Sequence, residues 1–516
     1  MKFKLSIITA IYLLSACVLF GQQRYLDEVF DSVTAIRDIL YGVNVSVLTG
    51  EPTLDSLHLD IYQPEGDNQS ERPVAIVLHT GSFLPKGFFA PTGDKNDYAN
   101  VEIASRLAKR GYVAISMDYR LGWNPFSQEE IVRRATLTQA LYRTIQDVHT
   151  AIRYLNMTIE EQGNPYGMDK ERVALFGMGG GGVVALNTAV LGDATEVAIP
   201  KFSNPFTGIP FIDTLIIGDV YGVQQATENI PNHVEYCNDF HFTYSMDGGL
   251  GDTSWLYSGS KTPLVCAGIV NNPGMPFGID RISGLILCEL PIYPIGGGNY
   301  NVSFAGSACV ISRANELGIN DQLNEIVYDD AVSEHIRTSE YAQEHLWPIH
   351  LPGEQVGPWE YWDSVYWKTI QHPFGDNMHE IALRTNPDMS MQKANRYIDT
   401  ALWFFAPRAY VALELAGDVS DPGCDNLVSI ESPLSGMHNL NINPNPASTE
   451  LNVSSDKEWL LSINMFDTFG RLAGTYEEIN SPSITIDITH LPSGMYVLQV
   501  FVEGVGYTSS KVVIAR

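Results

Sequence analysis

From about Arg24 to Ala416, short apolar runs alternate with longer segments whose apolar residues recur every three or four positions. Apolar runs of about four to eight residues between turn signals are typical of buried strands, and the wider spacing is typical of amphipathic helices. The clearest helical segment is Leu137–Asn156. The strand candidates are Pro73–His79, Tyr112–Leu121, Arg172–Gly177 and Thr262–Val270. This alternation predicts an α/β fold, with a mostly parallel sheet and helices on both faces.

The pattern changes near Gly417. Residues 417–438 are rich in glycine, proline and small polar residues, as expected of a linker. Residues 439–516 contain short segments in which apolar and polar residues alternate, with turn residues between them. Such alternation is typical of strands with one buried face. The sequence therefore predicts a large α/β domain over residues 23–416, followed by a small all-β sandwich over 439–516.

The N-terminus carries two lysines and then an apolar run from Leu5 to Phe20. A membrane-spanning helix needs about 20 apolar residues, so this shorter run predicts a cleaved export signal over residues 1–22. The tetrapeptide LSAC, which ends at Cys17, also resembles a lipoprotein cleavage box. Lipid anchoring at Cys17 is therefore the minor alternative.

The net charge and the cysteine spacing argue against several classes of partner and against a zinc site. The 516 residues have a formal net charge of −29. Nucleic acid and anionic membranes repel a polyanion, which argues against both as partners. Export permits disulfides, and the predicted pair is Cys288 with Cys309; the five cysteines beyond the signal leave at least one thiol free. No CxxC spacing suggests zinc, and no metal is predicted.

Four motifs follow one another in the last domain. They are PNPAS at Pro444–Ser448, FDTFGR at Phe466–Arg471, LPSGMYVLQV at Leu491–Val500, and the closing KVVIAR. With these motifs, the domain resembles over its whole length the type A C-terminal sorting domain of type IX secretion cargo. The resemblance implies transport by the Sec machinery and then by the type IX secretion system, which delivers the protein to the surface or the medium.

The stretch RVALFGMGGGGVVALNTAVL, Arg172 to Leu191, joins an apolar strand to an apolar helix through a glycine turn. Gly177 to Gly182 satisfies a dinucleotide-binding G-x-G-x-x-G, with Asp193 and Glu196 about where a ribose-binding acid would stand. Consecutive glycines match such patterns by chance, however, and the turn is far from the first strand–helix unit. No Gly-Lys-Ser/Thr follows, which excludes a P-loop. No cofactor is predicted.

A nucleophile elbow, G-x-S-x-G, explains the turn better, because its flanking glycines let strand and helix crowd together around an exposed serine. With Gly177 and Gly181 at the glycine positions, Gly179 stands where the serine belongs. A shifted frame places Gly177 there instead. Glycine has no hydroxyl, so the attacking group is missing in either frame. A purely structural glycine turn is the third interpretation.

Motifs on both sides of the turn make residues 50–410 resemble the α/β-hydrolase fold, in its carboxylesterase and lipase-like branch. These motifs are LHLDIYQPEG from Leu57, VLHTGSF from Val77, DYRLG from Asp118 and CAGIVNNPGMPF from Cys266. VLHTGSF corresponds to the oxyanion loop, where Gly81 is kept and Thr80 and Ser82 replace glycines. The resemblance assigns Gly81, Ser82 and Gly180 to the oxyanion group.

The same resemblance implies positions for the acid and the histidine. The family's catalytic aspartate would stand at Asn271 or at Asn272. The segment Gly306–His335 fits the one that supplies the histidine, which makes His335 the inherited histidine. His372 and His379 are the alternatives.

Two of the three catalytic roles are then unfilled. In a triad the carboxylate stabilises the imidazolium that forms when histidine takes the serine proton, and an amide cannot do so. Ser82 is a candidate displaced nucleophile, although serines in such loops more often bond to the backbone. His79 is more simply a structural histidine.

Residues 336–388 are predicted to form an aromatic-rich insertion before the last helix. They contain half of the eight tryptophans, namely Trp347, Trp359, Trp362 and Trp367. Clustered aromatic rings can form a stacking surface for a ligand. They more often form the core of an insertion, and this is the interpretation that we favour.

The sequence thus favours a secreted α/β-hydrolase-fold protein of esterase or lipase ancestry. We expect its catalytic centre to be impaired and its pocket to bind a ligand such as a small ester, a polymer or a glycan. An active carboxylic ester hydrolase that uses displaced residues is the first alternative. A surface adhesion or assembly protein is the second.

Overall fold

The computed structural model describes residues 23–279, 285–292, 302–372, 375–416, 440–455, 459–467, 472–476, 479–502 and 506–515. The chain divides into two compact units between Leu427 and Val428. The predicted signal over 1–22 with Cys17, the predicted linker over 417–438 with Cys424, and part of the FDTFGR motif lie outside the described residues.

The N-terminal unit is built on one eight-stranded sheet. Its strands are β1 (Val33–Ser46), β2 (Thr53–Pro64), β3 (Arg72–Leu78), β4 (Val113–Met117), β5 (Met168–Met178), β6 (Phe242–Met246), β8 (Leu264–Ile269) and β11 (Leu346–Ile349). Their order across the sheet is β1-β2-β4-β3-β5-β6-β8-β11. A smaller antiparallel sheet contains β7 (Gly249–Leu250), β9 (Leu290–Ile292) and β10 (Val302–Gly306).

Six neighbouring strands of the large sheet, from β4 to β11, run parallel, whereas β2 pairs antiparallel with both of its neighbours, β1 and β4. Every residue of β3, β4, β6 and β8 is buried. Burial on both faces explains why these strands are near-continuous apolar runs rather than alternating ones. The predicted mostly parallel sheet is confirmed.

Helices cover both faces of this sheet. They are α1 (Tyr98–Lys109), α2 (Glu130–Glu161), α3 (Gly180–Thr188), α4 (Thr214–Ile217), α5 (Ser307–Glu316), α6 (Asp321–Asn324), α7 (Ala331–Arg337), α8 (Ser364–Trp367), α9 (Met378–Leu383) and α10 (Met391–Ala412). On one face, α1 and α10 pack against side chains such as Val77 and Phe176. On the other, α2, α3 and α5 pack against side chains such as Ile76 and Leu175. None of the helices in the described segments is long and apolar enough to cross a membrane.

The predicted insertion over 336–388 needs correction at its start. Residues Leu346–Ile349 form β11, which pairs in parallel with β8 and completes the large sheet. The segment outside the sheet therefore begins after Ile349. The strand has only four residues and contains Pro348, so its sequence signal is weak. Proline is tolerated there because β11 is an edge strand.

The C-terminal unit consists of two antiparallel sheets. Its strands are β12 (Leu440–Asn443), β13 (Glu450–Ser455), β14 (Leu460–Asp467), β15 (Leu472–Tyr476), β16 (Ser483–Asp487), β17 (Gly494–Val502) and β18 (Gly506–Ile514). One sheet has the order β12-β13-β16 and the other β15-β14-β17-β18. Leu451 and Ile486 of the first sheet share one core with Met465 and Leu498 of the second. The unit thus has its own hydrophobic core.

The cysteines of the N-terminal unit agree with the sequence prediction. Cys288 and Cys309 form the expected disulfide, and Cys237 is also disulfide-bonded. Cys266 is a free thiol, buried in β8. Burial raises the pKa of this thiol far above its usual value, which keeps it protonated and unreactive.

Candidate functional site

The glycine turn lies between β5 and α3, with Gly179 at its apex. Gly179 has φ of +52° and ψ of −115°, a conformation that costs a non-glycine residue about 1–3 kcal/mol. A Cβ atom at Gly177 would lie 2.1 Å from the Gly181 carbonyl oxygen, and one at Gly181 would lie 2.2 Å from the Leu78 carbonyl oxygen. These contacts demand glycine at both flanking positions. The turn therefore has the tight, strained geometry of a nucleophile elbow, and the assignment of Gly179 to its nucleophile position remains a prediction.

Thr80 fills the space beside this apex. A Cβ atom at Gly179 would lie 2.6 Å from Thr80 Oγ1 and 3.4 Å from Thr80 Cβ. The first distance is too short for a van der Waals contact, so a serine at Gly179 requires the Thr80 side chain to move. The role of this threonine was not apparent in the sequence, where Thr80 is one of two residues that replace the glycines of the oxyanion loop.

The loop after β3 brings backbone amides to the elbow. A Cβ atom at Gly180 would lie 3.2 Å from the Ser82 nitrogen and 3.9 Å from the Gly81 nitrogen. Gly81 has φ of +119° and Ser82 has φ of +54°. The structure therefore brings together Gly81, Ser82 and Gly180, the three residues expected to form the oxyanion group. Their roles remain a proposal.

Hydrogen bonds from neighbouring segments hold this loop in place. The Trp123 indole donates to the Ser82 carbonyl oxygen at 2.8 Å, and the Tyr119 hydroxyl donates to the His79 carbonyl oxygen at 2.6 Å. The His79 ring is buried and stacks on Tyr119, with 4.2 Å between ring centroids. These contacts agree with a structural role for His79. Arg120, between Tyr119 and Trp123, is anchored by a fully buried ion pair with Asp147 of α2, at 2.8 Å.

The two asparagines after β8 have different partners. The Asn272 side chain donates to Asp247 Oδ2 at 2.5 Å and accepts bonds from the Gly274 and Met275 amides. The Asn271 side chain donates to the Leu351 carbonyl oxygen at 3.5 Å, across to the segment that follows β11. Asn272 is thus committed to Asp247, which favours Asn271 as the residue at the acid position.

Asp247 is a buried carboxyl group that the sequence analysis missed. It follows β6 directly, has φ of +56°, and accepts a hydrogen bond from the Ile269 amide at 3.0 Å. Burial raises its pKa to about 7, although the bonds from Ile269 and Asn272 favour the charged form. An acidic residue directly after a buried apolar strand was the available signal.

This raised pKa predicts a pH-dependent stability. The pKa of this carboxyl group in the unfolded chain is about 3.9. Between about pH 4 and pH 7 the group is therefore ionised in the unfolded chain but protonated in the folded one. The free energy of unfolding then falls by about 1.4 kcal/mol for each unit of rising pH. Asp247→Asn cannot titrate. From about pH 5 to pH 8, we expect wild type to lose about 3 kcal/mol relative to this variant.

Urea unfolding of both proteins at each pH measures the difference. Asp329→Asn removes an acidic group that is exposed, and its stability should follow the wild-type profile. If the free energies of unfolding of wild type and Asp247→Asn change in parallel with pH, Asp247 does not hold a proton in the folded state.

The expected histidine, His335, lies on α7, where it is exposed. This helix packs on α10, and Arg408 donates to Ser333 at 3.1 Å. His335 thus lies on an exposed helix beside α10, and its assignment to the triad remains a prediction.

The alternatives His372 and His379 are both buried in the segment after β11. The Trp362 indole donates to His379 Nδ1 at 3.0 Å, and burial lowers the pKa of His379. A neutral, buried imidazole that accepts an indole hydrogen bond fits a structural role.

His350 is a further histidine that the sequence analysis did not consider. It directly follows β11, is exposed, and lies next to Leu351, the residue contacted by Asn271. Because β8 and β11 are parallel neighbours, their C-terminal ends meet at one edge of the sheet. The run LWPIH, four apolar residues and a histidine, was the available signal.

The acidic residues considered for cofactor binding have a structural role instead. Asp193 and Glu196, considered for ribose binding, form a capping box around the short 3₁₀ helix Ala194–Val197. The described parts of the chain contain no group of three or more His, Cys, Asp or Glu residues placed to hold a metal ion.

The four clustered tryptophans are all buried, as the core interpretation predicts. Trp347 and Trp359 belong to the core beneath α1 and α10. Trp362 and Trp367 form a small separate cluster with Met378. Trp362 and Trp367 also line a cavity, which the spacing of tryptophans in the sequence could not reveal.

Sheet order, helices on both faces and a strained turn after β5 together define an α/β-hydrolase fold. Residues 59–229 match the family model described as BD-FAE, and residues 441–515 match that of the secretion system C-terminal sorting domain. The chain thus joins an esterase/lipase-like α/β-hydrolase domain to a type IX sorting domain, and it is secreted to the cell surface or the extracellular space. The first match ends before β6, so it does not include Asn271, His335 or His350.

Solved structures that resemble the chain include esterases. Brefeldin A esterase, a bacterial homologue of human hormone sensitive lipase, is 14% identical over 45% of this chain and 42% of its own, with a TM-score of 0.23. Esterase B from Lactobacillus rhamnosis is 14% identical over 78% and 96%, with a TM-score of 0.27. Tannase from Lactobacillus plantarum is 15% identical over 42% and 38%, with a TM-score of 0.25. The matches thus span less than half of the first and third proteins. No curated protein matches the sequence.

Proposed function

We propose that this secreted protein has lost ester hydrolysis and uses its α/β-hydrolase scaffold to bind a ligand. The observation that carries the proposal is Gly179: the elbow keeps its strained shape at φ of +52°, but its apex has no side chain. A hydroxyl or thiol at this point is the reagent of acyl transfer. Without one, the neighbouring backbone amides have no attacking group to assist.

Two further residues support the loss of hydrolysis. Asn271 provides an amide at the acid position, and an amide cannot stabilise a histidine cation as a carboxylate does. The Thr80 hydroxyl lies 2.6 Å from where the Cβ atom of an apical serine would lie. A serine at the apex therefore requires the Thr80 side chain to move, which adds to the cost of restoring the nucleophile.

We expect the purified protein to hydrolyse p-nitrophenyl acetate and p-nitrophenyl butyrate no faster than buffer does. Oxyanion stabilisation lowers the barrier only once a nucleophile attacks, so intact amides alone give little turnover. Release of p-nitrophenol, followed by absorbance, measures the rate. Turnover well above the buffer rate would contradict the proposal.

Ser82 makes the alternative of an active hydrolase testable, because it is exposed and its backbone nitrogen lies close to Gly180. If turnover is observed, Ser82→Ala should abolish it under this alternative. Ser70→Ala is the matched control: Ser70 is also exposed, but it precedes β3, at the opposite end of the strand. Equal rates in both variants would exclude Ser82 as the nucleophile.

A further inference from the structure

The N-terminal unit contains a cavity of about 440 Å³ between the start of α1 and the segment after β11. This volume falls in the range of about 300–1,000 Å³ that is usual for small-molecule sites. Asn96 and Tyr366 at its rim are exposed, so the cavity opens to solvent. Its lining residues are Lys86, Pro91, Asn96, Asp97, Tyr98, Val101, Tyr361, Trp362, Asp363, Tyr366 and Trp367.

Five of these eleven residues are aromatic, and neighbouring contacts hold their rings in place. Tyr98 packs edge-to-face on Tyr361 with 5.1 Å between centroids, and its hydroxyl donates to Asn395 of α10 at 2.8 Å. Tyr366 packs edge-to-face on Trp367 with 5.0 Å between centroids. Fixed rings offer large apolar surfaces whose ordering costs little entropy on binding.

The charged groups around the cavity disfavour an anionic ligand. The Lys86 ammonium bonds to Asp97 at 2.5 Å and to Asp94 at 3.2 Å. Asp363 accepts two backbone hydrogen bonds as the N-cap of α8. The Lys86 ammonium is neutralised by its two carboxylate partners, and Asp363 adds a further negative charge to the lining, so the wall repels anions. The remaining polar atoms can still exchange hydrogen bonds with hydroxyl groups.

From the rings, the rim and these charges, we propose that this cavity, defined here as the aromatic cavity, binds a neutral saccharide. Sugar rings have apolar faces that stack on aromatic side chains, and their hydroxyl groups suit a rim of amide, carboxylate and ammonium groups. The occupant is one or two residues of a longer neutral glycan. This inference does not depend on whether the elbow is active.

The aromatic cavity is connected to the elbow by the loop between β3 and α1. Lys86 and Asn96 belong to the same loop as Gly81. A Cβ atom at Gly81 would lie only 2.7 Å from the Gly93 Cα atom, so the two halves of the loop pack tightly together. A glycan held in the cavity would therefore lie against the loop that also forms the edge of the elbow.

Calorimetric titration of the purified protein with xylohexaose, cellohexaose and mannohexaose tests this proposal. We expect at least one to bind, with a change in tryptophan fluorescence from Trp362 and Trp367. Tyr366→Ala and Asn96→Ala should each weaken binding, the first by about tenfold through loss of stacking. Both positions are exposed, so neither variant should unfold, which circular dichroism checks.

Val365→Ala is the matched control, because Val365 is on the same helix as Tyr366 and is 76% exposed, but does not line the cavity. Its affinity should equal that of wild type. Absence of binding by all three oligosaccharides at millimolar concentration would overturn the proposal. So would tighter binding of hexagalacturonate, which is anionic, or binding that Tyr366→Ala and Asn96→Ala leave unchanged. All of these experiments measure binding, so their outcome is independent of whether the protein hydrolyses esters.

Discussion

Combining Gly179→Ser with Thr80→Gly and Asn271→Asp should produce a variant that hydrolyses p-nitrophenyl acetate where the parent protein does not. The first substitution supplies the nucleophile at the strained apex. The second removes the side chain whose hydroxyl would lie 2.6 Å from the new Cβ atom. The third supplies a carboxylate next to the segment that carries His350. The measurement is kcat/KM for the ester.

The partial variants should do much less than the triple variant. Gly179→Ser alone combines about 1–3 kcal/mol of backbone strain with the Thr80 clash. Without Asn271→Asp, the histidine cation lacks its carboxylate, and an Asp-to-Asn change in a working triad costs on the order of 10⁴ in rate. The activities should therefore be strongly non-additive, as expected of residues that act as a unit.

Histidine substitutions in the triple variant separate the two candidate bases. His350→Ala should abolish the new activity, whereas His335→Ala, on the exposed side of α7, should leave it unchanged. The opposite result would restore the assignment made from sequence. Asn272→Asp in place of Asn271→Asp should be less effective, because it places a second carboxyl group against Asp247. If both triple variants, the one with Asn271→Asp and the one with Asn272→Asp, fold but hydrolyse no ester, this placement of the site is contradicted.

Deleting residues 439–516 should stop release of the protein to the cell surface or the medium while leaving the N-terminal unit folded. The deleted unit contains the match to the sorting domain. Its core consists of its own strands, and the chain divides between Leu427 and Val428. Units with separate cores commonly fold independently. Immunoblots of cell, surface and medium fractions measure the distribution.

The control for this deletion is the thermal unfolding of the truncated protein recovered from cells. A cooperative transition near that of the full chain would show that misfolding is not the cause of retention. Normal amounts of the truncated protein at the surface or in the medium would contradict the assignment of the export signal to residues 439–516.

The sequence by itself determined the mostly parallel α/β architecture, the glycine turn after β5 and the sorting domain. Strands β3, β5 and β8 were predictable because burial on both faces requires continuous apolar runs. The turn at Gly179 was predictable because its strand, its glycines and its helix are consecutive in the chain. The disulfide between Cys288 and Cys309 was also predicted, and the structure contains it. These features depend on short segments or on motifs in a fixed order.

Only the tertiary structure decided which distant residues meet around that framework. Thr80 reaches the apex because β3 and β5 are parallel neighbours, although almost a hundred residues separate it from Gly179. Asp247 and Asn272 meet because β6 and β8 are adjacent, and His350 was found only when Leu346–Ile349 proved to be the last strand. The aromatic cavity joins Tyr98 to Tyr361. Such contacts are set by strand order and side-chain packing, which local apolar patterns do not encode.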